Sequence, residues 1–137
     1  MNNAALSFTN LSYRVSGRTI LENLNLSVPV GSYFAIAGIN GAGKSTLIKL
    51  ALDLIRPDQG SQISIFNDIN REPRCRESLA FLPEKFDTKK EASAWQYLQF
   101  FASTYGMPLD KKRVKLLAQK LDFPTDRFES KVASYSK

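Results

Sequence analysis

The sequence of 137 residues contains no histidine and a single cysteine, Cys75. Without histidine the chain cannot supply a histidine general base, a serine–histidine–aspartate triad or a histidine metal ligand. One cysteine excludes an internal disulfide and a cysteine cage for zinc or iron–sulfur, and a lone thiol is typical of a reducing compartment. The longest apolar run, around residues 34–39, is far shorter than the roughly 20 residues that cross a bilayer. We therefore expect a chain that does not itself span a membrane.

Positive charge is concentrated in the second half of the chain. The net charge is +6, from 19 basic and 13 acidic residues; residues 1–70 hold 5 basic and 4 acidic side chains, and residues 71–137 hold 14 and 9. A basic half occurs in proteins that bind nucleic acids, acidic partners or phosphorylated ligands. Here the run from Lys111 to Lys115 falls where a helix would face solvent. Because no aromatic residues interleave with these cations, we expect no nucleic-acid partner.

The first half has the pattern of strands. Apolar and polar residues alternate over residues 5–15 and 20–28, and Ser16-Gly17-Arg18 between them has turn chemistry, which predicts a hairpin. Residues 33–37 form a short apolar run without alternation, which predicts a strand buried on both faces of a parallel sheet.

Further along, glycine-rich residues precede an apolar helix that we expect to run through Leu47 to Ile55 and to end at 56–60. Residues 62–66 and 79–82 have the composition of two more short strands. The last third is predicted to be helical from Glu91, with a second helix from Asp110, a plausible N-cap.

Residues 38–45 have the sequence pattern of a phosphate-binding loop. From Gly38 to Ser45 the spacing fits the phosphate loop, which follows a buried strand and begins a helix. Glycines permit the backbone angles and the close approach of a phosphate, so that successive N–H groups form an anion-binding nest at the positive end of the helix. Lys44 would reach the β- and γ-phosphates, and the Ser45 hydroxyl would bind Mg²⁺. The predicted nucleotide-binding residues are Gly38, Asn40, Gly41, Ala42, Gly43, Lys44, Ser45 and Thr46.

Residues 38–47, Gly-Ile-Asn-Gly-Ala-Gly-Lys-Ser-Thr-Leu, resemble the phosphate loop of ATP-binding cassette (ABC) transporter ATPases. The resemblance extends over essentially the whole chain. Four further parts of the chain resemble that family. They are the two-strand lead-in, the segment 54–60 after the helix, Leu82-Pro83-Glu84 at the position of the Q-loop, and residues 91–134, which resemble the helical subdomain.

The resemblance implies an α/β fold of the P-loop NTPase class. It would have N-terminal antiparallel strands, an incomplete parallel core sheet and a helical subdomain. Residues 1–90 would form the nucleotide-binding core and residues 91–137 the helical subdomain. The implied ligands are ATP and Mg²⁺. The implied partners are a transmembrane transporter subunit and a second ATP-binding subunit, which would hold the chain in the cytoplasm at the inner face of a membrane.

Two positions depart from the family pattern. The Q-loop glutamine is replaced by Glu84, whose carboxylate also suits Mg²⁺. The family stacks an aromatic residue on adenine, and Val15 occupies that position by its spacing to the loop. Tyr13 lies two residues earlier, on the same strand face. Tyr13 and Val15 are therefore candidate adenine contacts, although a hairpin tyrosine more often packs into a core.

The last residues resemble the start of the family's signature motif. Tyr135 would take its leucine position and Ser136 its serine position, after which the sequence ends at Lys137. Three features of the family would lie beyond Lys137. They are the rest of the signature motif, the acidic motif with its catalytic glutamate, and the switch histidine. The only displaced candidate for the acidic motif, Asp53, falls in the phosphate-loop helix.

Two hypotheses follow from the resemblance. The isolated chain is expected to bind ATP or ADP with Mg²⁺ without hydrolysing it, because the groups that position the attacking water are missing. In the related fold the strand at 33–37 lies between strands that come later, so its edges are expected to be unpaired and the chain to be marginally folded or aggregation-prone.

Other interpretations remain open at this point. A small-molecule kinase or another phosphotransferase could use the same loop, although no acceptor site or catalytic carboxylate is evident. A truncated, split or frameshifted gene could also have left an inactive remnant or an interaction fragment. The segment 101–106 and the Tyr-Ser-Lys form of the signature favour exporter-type members of the family.

Overall fold

The computed structural model describes residues 3–84 and 91–135, so the predicted signature serine, Ser136, lies outside the described residues. The chain divides into two compact units, Met1–Phe81 and Leu82–Lys137. In the described ranges, no helix is both long enough and apolar enough to cross a membrane.

The predicted hairpin is confirmed. Strand β1 (Ala4–Val15) pairs antiparallel with strand β2 (Arg18–Pro29). Ser16 and Gly17 join them, with φ angles of 49° and 76°. Positive φ at both central residues matches the right-handed twist of the flanking strands, which explains why glycine occupies the second position. The register places Tyr13 opposite Leu21 and Val15 opposite Arg18 at the turn end.

Two short strands complete a four-stranded sheet. Strand β3 (Gln62–Ile65) pairs antiparallel with β1, and strand β4 (Asp68–Ile69) pairs antiparallel with β3. The order across the sheet is β2-β1-β3-β4. The described residues therefore contain the predicted antiparallel hairpin and the strand expected at 62–66, which spans Gln62–Ile65.

Helix α1 (Lys44–Ala51) packs on one face of this sheet. Leu47 and Leu50 are buried against apolar side chains of β1 and β3. Burying a leucine fully contributes about 1.5–3 kcal/mol. The buried residues of this cluster are Phe8, Leu11, Leu47, Leu50 and Ile63. A short helix α2 (Pro73–Glu77) follows β4. This packing positions the start of α1, where the glycine loop ends.

Helix α1 is shorter than the apolar pattern predicts. It ends at Ala51 rather than near Ile55, with Asp53 in the left-handed region at φ 55°. The side-chain amide of Asn70 donates to the carbonyl oxygens of Leu50 and Ala51, over 2.8 and 3.3 Å. The last carbonyl groups of a helix lack intrahelical partners, and Asn70 satisfies two of them here.

The prediction of strands at 33–37 and 79–82 is wrong for this chain, and no parallel pair of strands occurs among the described residues. A strand needs a neighbour to receive its backbone hydrogen bonds. In the described part of the chain no other segment pairs with residues 33–37, so Tyr33, Phe34 and Ile36 remain exposed. The predicted parallel core sheet is therefore not formed here.

The second unit is helical, as predicted. Helix α3 (Ala94–Thr104) and helix α4 (Lys111–Lys120) are followed by two 3₁₀ turns, Thr125–Glu129 and Val132–Ser134. Trp95 stacks on Phe128 with 4.3 Å between ring centroids, inside a cluster that includes Ala94 and Ala118. Trp95 is therefore a core residue of the second unit.

Local capping sets where the two helices begin. Ser93 and Gln96 form a capping box, so α3 begins at Ala94 rather than at Glu91. The Asp110 carboxylate accepts a 3.0 Å hydrogen bond from the Arg113 backbone N–H, which confirms Asp110 as the N-cap of α4.

Candidate functional site

The glycine loop leads directly into α1. Gly41 and Gly43 have φ angles of 85° and 88°, and Gly43 is the N-cap residue of the helix. Residues with a Cβ rarely adopt this left-handed conformation. The structure therefore accounts for glycine at these two positions through the backbone alone.

Gly43 is also confined by its neighbours. A Cβ added there would lie 3.0 Å from Cδ2 of Leu21 and 3.4 Å from Cγ2 of Ile20. Gly41 has no atom within 4 Å of such a Cβ. Strand β2 thus approaches the helix N-terminus at Gly43, which brings the turn end of the hairpin beside the phosphate loop.

Gly38 differs from the other two loop glycines. Its φ is not in the left-handed region, and an added Cβ would make only an ordinary 3.5 Å contact with Cβ of Ala42. Neither the backbone nor the packing of this chain requires glycine there. Its predicted role in close approach of a phosphate stays a prediction.

The N-terminus of α1 is suited to an anion. No side chain caps it, and no acidic residue lies in its first turn. The first N–H groups of a helix have no intrahelical acceptor, and the helix dipole places partial positive charge at the same end. Lys44, Ser45 and Thr46 are the first three residues of the helix, and the Ser45 side chain is exposed. The chemistry of this donor set fits phosphate oxygens.

The Lys44 side chain folds back over the loop. Its Nζ atom donates hydrogen bonds of 2.7 Å to the carbonyl oxygens of Gly38 and Ile39. Ala42 N–H also donates to Ile39 O, over 3.2 Å. A lysine ammonium has three donors, so one remains for a ligand while two hold the ammonium beside the loop. This arrangement concentrates positive charge where the helix N-terminus begins.

The two candidate adenine contacts differ in environment. Tyr13 is half-buried and packs against the core cluster beneath α1. Val15 is 47% exposed beside the turn. Val15 is thus the more exposed of the two candidates, and a contact with adenine stays a prediction for both.

Ser45 and Glu84 are the two predicted metal ligands. Ser45 is exposed on the first turn of α1, whereas Glu84 is an exposed residue of the second unit. Among residues 3–84 and 91–135, no group of three or more histidine, cysteine, aspartate or glutamate side chains could hold a metal ion. Mg²⁺ in proteins usually keeps several bound waters and takes few protein ligands. One serine hydroxyl together with phosphate oxygens would therefore be enough to hold it. Glu84 stays a prediction.

Sequence reasoning missed the residues that support the loop. Leu21 lies against Gly43, and Asn70 holds the far end of α1. Asp58 holds the hairpin near its tip, since its N–H donates to Ser12 O over 2.9 Å and its Oδ1 accepts from Arg14 N–H over 3.3 Å. Each contact joins residues more than ten apart, so no local pattern could have revealed them. Asp53, the displaced acidic candidate, forms ion pairs with Arg56 and Arg71.

Comparison with known proteins agrees with this geometry. Residues 21–137, which include the whole loop and both helices of the second unit, match the sequence profile of the family described as ABC transporter. The chain belongs to the ABC transporter family. The resemblance inferred from residues 38–47 is thereby confirmed.

The curated relatives in the ABC family are named for the transport of different substrates. The zinc import ATP-binding protein ZnuC of Pseudomonas fluorescens is 34% identical over 85 residues, which is 62% of this chain and 29% of that protein. The Nod factor export ATP-binding protein I of Burkholderia orbicola is 30% identical over 125 residues, 90% of this chain and 40% of that protein.

Solved structures of ABC subunits confirm the fold class. The structure of an ATP binding subunit of an ABC transporter superposes with a TM-score of 0.81 at 29% identity, over 97% of this chain and 56% of that one. A subunit from Clostridium perfringens, part of an ABC transporter complex, gives a TM-score of 0.79 at 25% identity, over 98% of this chain and 56% of that one. The chain thus spans slightly more than half of each of these two solved chains, and its matches cover 29% and 40% of the two curated relatives.

Proposed function

We propose that this chain binds ATP or ADP, together with Mg²⁺, at residues 38–46. The observation that carries the proposal is the convergence of two positive groups on one loop. The Lys44 ammonium is held at the loop by the Gly38 carbonyl, and the uncapped N-terminus of α1 begins at the same residue. Membership of the ABC transporter family supports the same ligand.

Each loop residue has a proposed task. The backbone N–H groups at the start of α1 bind phosphate oxygens, and Lys44 neutralises part of their charge. Ser45 supplies one hydroxyl to Mg²⁺, and Thr46 supplies another to a phosphate oxygen. Bound Mg²⁺ would offset part of the negative charge of the phosphates. Tyr13 or Val15 contacts the base, and Glu84 is a further candidate for the metal.

We place the chain in an ABC transporter, as the nucleotide-binding core and helical part of an ATPase subunit. Its partners would be a transmembrane subunit and a second ATP-binding subunit, so that it works in the cytoplasm at the inner face of a membrane. The curated relatives are named for import of zinc and export of Nod factor. Because their cargo and direction differ, the similarity assigns neither to this chain.

The 137-residue chain is proposed to bind nucleotide without turning it over. Hydrolysis requires a group that positions the attacking water and carboxylates that hold the metal. The sequence has no histidine, and the acid in the phosphate-loop segment, Asp53, is engaged by Arg56 and Arg71.

Competition binding tests which part of the nucleotide is recognised. Equilibrium dialysis of labelled ATP with Mg²⁺ should show displacement by ADP and by inorganic triphosphate, whereas AMP should compete at least about tenfold more weakly, since it lacks the β- and γ-phosphates that Lys44 reaches. Equal competition by AMP and ADP would contradict recognition through the loop.

A phosphate-release assay in the same samples tests turnover. We expect release no faster than in buffer. Release that is abolished in the Lys44→Ala variant, and retained when the exposed helix residue Lys49 is changed to Ala, would overturn the proposal that the chain does not hydrolyse ATP.

A further inference from the structure

Helix α4 carries an unbalanced positive charge. Its ten residues include five cations and no acidic side chain. Within residues 3–84 and 91–135, no ion pair involves an α4 side chain, and Lys111 lies over the ring of Trp95 at 5.1 Å. Four arginines of the first unit do form ion pairs with aspartates. They are Arg14, Arg56, Arg71 and Arg74.

An apolar residue lies among these cations on the solvent side of the helix. Leu116 is 61% exposed. Residues three and four apart share a helix face, so Leu116 lies with Lys112, Arg113 and Lys120, all of them exposed. We call these four residues the α4 basic patch. The core face of the helix is formed instead by Val114 and Ala118.

Along the sequence, the acidic residues nearest to α4 lie at its two ends. Asp110 precedes α4 and its carboxylate caps the helix, while exposed Asp122 follows it. Among residues 3–84 and 91–135, no ion pair neutralises a side chain of the patch. Exposed cations around an exposed leucine match a surface that is anionic at its outside and apolar just beneath.

We propose that the α4 basic patch binds the surface of a membrane that contains anionic phospholipid. The lysines and the arginine contact headgroup phosphates, and Leu116 inserts at the boundary with the acyl chains. A nucleic acid is the less fitting polyanion, because the patch has no aromatic residue to stack on bases. The proposal depends on the proposed function only in placing the chain beside a membrane, and nucleotide does not enter its test.

Vesicle co-sedimentation of the full chain tests this proposal. Vesicles of phosphatidylcholine alone are compared with vesicles that also contain phosphatidylglycerol, in about 0.1 M salt, where screening acts over about 10 Å. We expect binding to the anionic vesicles only. The double variant Lys112→Gln/Lys120→Gln should bind about 25-fold more weakly, from about fivefold for each cation removed. Leu116→Ser should weaken binding by about fivefold.

Matched variants control for charge and for apolarity. Arg18→Gln/Lys49→Gln removes the same charge from exposed positions of the first unit, and Leu54→Ser removes a leucine that is 64% exposed there. Both should bind vesicles within about twofold of the parent chain, since they lie outside the patch. Circular dichroism verifies that all variants keep their helices.

Three results would overturn the proposal. The first is equal binding to neutral and anionic vesicles, which would indicate apolar adsorption. The second is an equal loss in the patch and control variants, which would indicate a net-charge effect. The third is tight binding of a duplex oligonucleotide that Leu116→Ser leaves unchanged, together with no vesicle binding, which would assign the patch to nucleic acid. Loss of ATP binding in Lys44→Ala, with vesicle binding retained, separates this proposal from the nucleotide site.

Discussion

The ammonium group of Lys44 donates a 2.7 Å hydrogen bond to the carbonyl oxygen of Gly38, the residue that opens the phosphate loop. The contact closes the loop upon the first residue of α1. It therefore keeps the cation at the mouth of the loop, where a phosphate would bind beside the helix N-terminus. The proposed nucleotide site depends on this pairing.

The Gly43→Ala substitution should impair both folding and nucleotide binding. The left-handed φ of 88° disfavours a Cβ by about 1–2 kcal/mol, and the 3.0 Å approach to Leu21 adds a packing cost of about 1–3 kcal/mol. Gly41→Ala is the control, because its φ is similar but an added Cβ meets no atom within 4 Å. Urea unfolding should give the larger loss for Gly43→Ala. Equal losses would mean that the contact with Leu21 has no energetic weight.

Removing the Asn70 amide should destabilise the first unit. Asn70→Ala removes the buried 2.8 Å donor to the Leu50 carbonyl and the 3.3 Å donor to the Ala51 carbonyl. Because Leu50 O keeps its 3.1 Å hydrogen bond from Asp53 N–H, we expect a cost of about 1 kcal/mol. The control Asn25→Ala removes an exposed amide whose Oδ1 accepts from Asn10 N–H, and we expect about 0.5 kcal/mol or less. Thermal unfolding followed by far-ultraviolet circular dichroism measures both. A loss for Asn70→Ala no greater than for Asn25→Ala would contradict the cap.

The Cys75 thiol should be unreactive in the folded chain. It is buried and donates to the carbonyl of Ile69 over 3.1 Å. Burial, together with the negative charge of Asp68, raises the pKa of the thiol above its ordinary value of 9.0. Because the thiolate is the nucleophile, reaction with Ellman's reagent at neutral pH should be slow, and it should become fast in urea. Rapid stoichiometric reaction without denaturant would contradict the burial of Cys75.

The same pKa direction predicts how stability depends on pH. Above the unfolded pKa of 9.0 the unfolded thiol loses its proton while the folded thiol keeps it. The folded state then binds more protons, so the free energy of unfolding should fall as the pH rises above about 9. The Cys75→Ala variant lacks this group, and its unfolding free energy should fall less over the same range. Identical pH profiles would exclude the thiol as a source of the dependence.

The unpaired apolar segment should make the isolated chain associate. Phe34 and Ile36 are exposed and line an apolar cavity of about 260 Å³ beside α1. Light scattering should show association that rises with protein concentration, since unpaired, apolar edges favour it. Ile36→Lys should reduce association more than Ile69→Lys, which changes an exposed isoleucine of β4. A monomer with a sharp cooperative melt would contradict a marginally folded chain.

Local patterns sufficed for the elements whose partners are close in sequence. Alternation and the Ser16–Gly17 turn predicted the hairpin, because β1 and β2 supply each other's hydrogen bonds. Asp110 was predicted as a cap because its partner, the Arg113 N–H, is only three residues away. The loop glycines Gly41 and Gly43 followed from the motif, and their positive φ angles supply the reason.

Non-local contacts account for what the sequence could not predict. The apolar run at 33–37 has the composition of a buried strand, yet composition does not provide the neighbour that a parallel strand needs. The end of α1 depends on Asn70, twenty residues from Leu50. The crowding of Gly43 by Leu21 and the capture of Lys44 by two carbonyl groups depend on how the segments fold together.

Titration with a fluorescent ATP analogue in the presence of Mg²⁺ tests the central claim most directly. The parent chain, Lys44→Ala and the matched control Lys49→Ala, which removes an exposed lysine of the same helix, are compared at equal concentration. We predict saturable binding by the parent and by Lys49→Ala, and at least about tenfold weaker binding by Lys44→Ala, as expected for loss of a charge-assisted contact to phosphate. Absence of saturable binding in the parent chain, or equal affinity in all three proteins, would contradict the assignment of residues 38–46 as a nucleotide site.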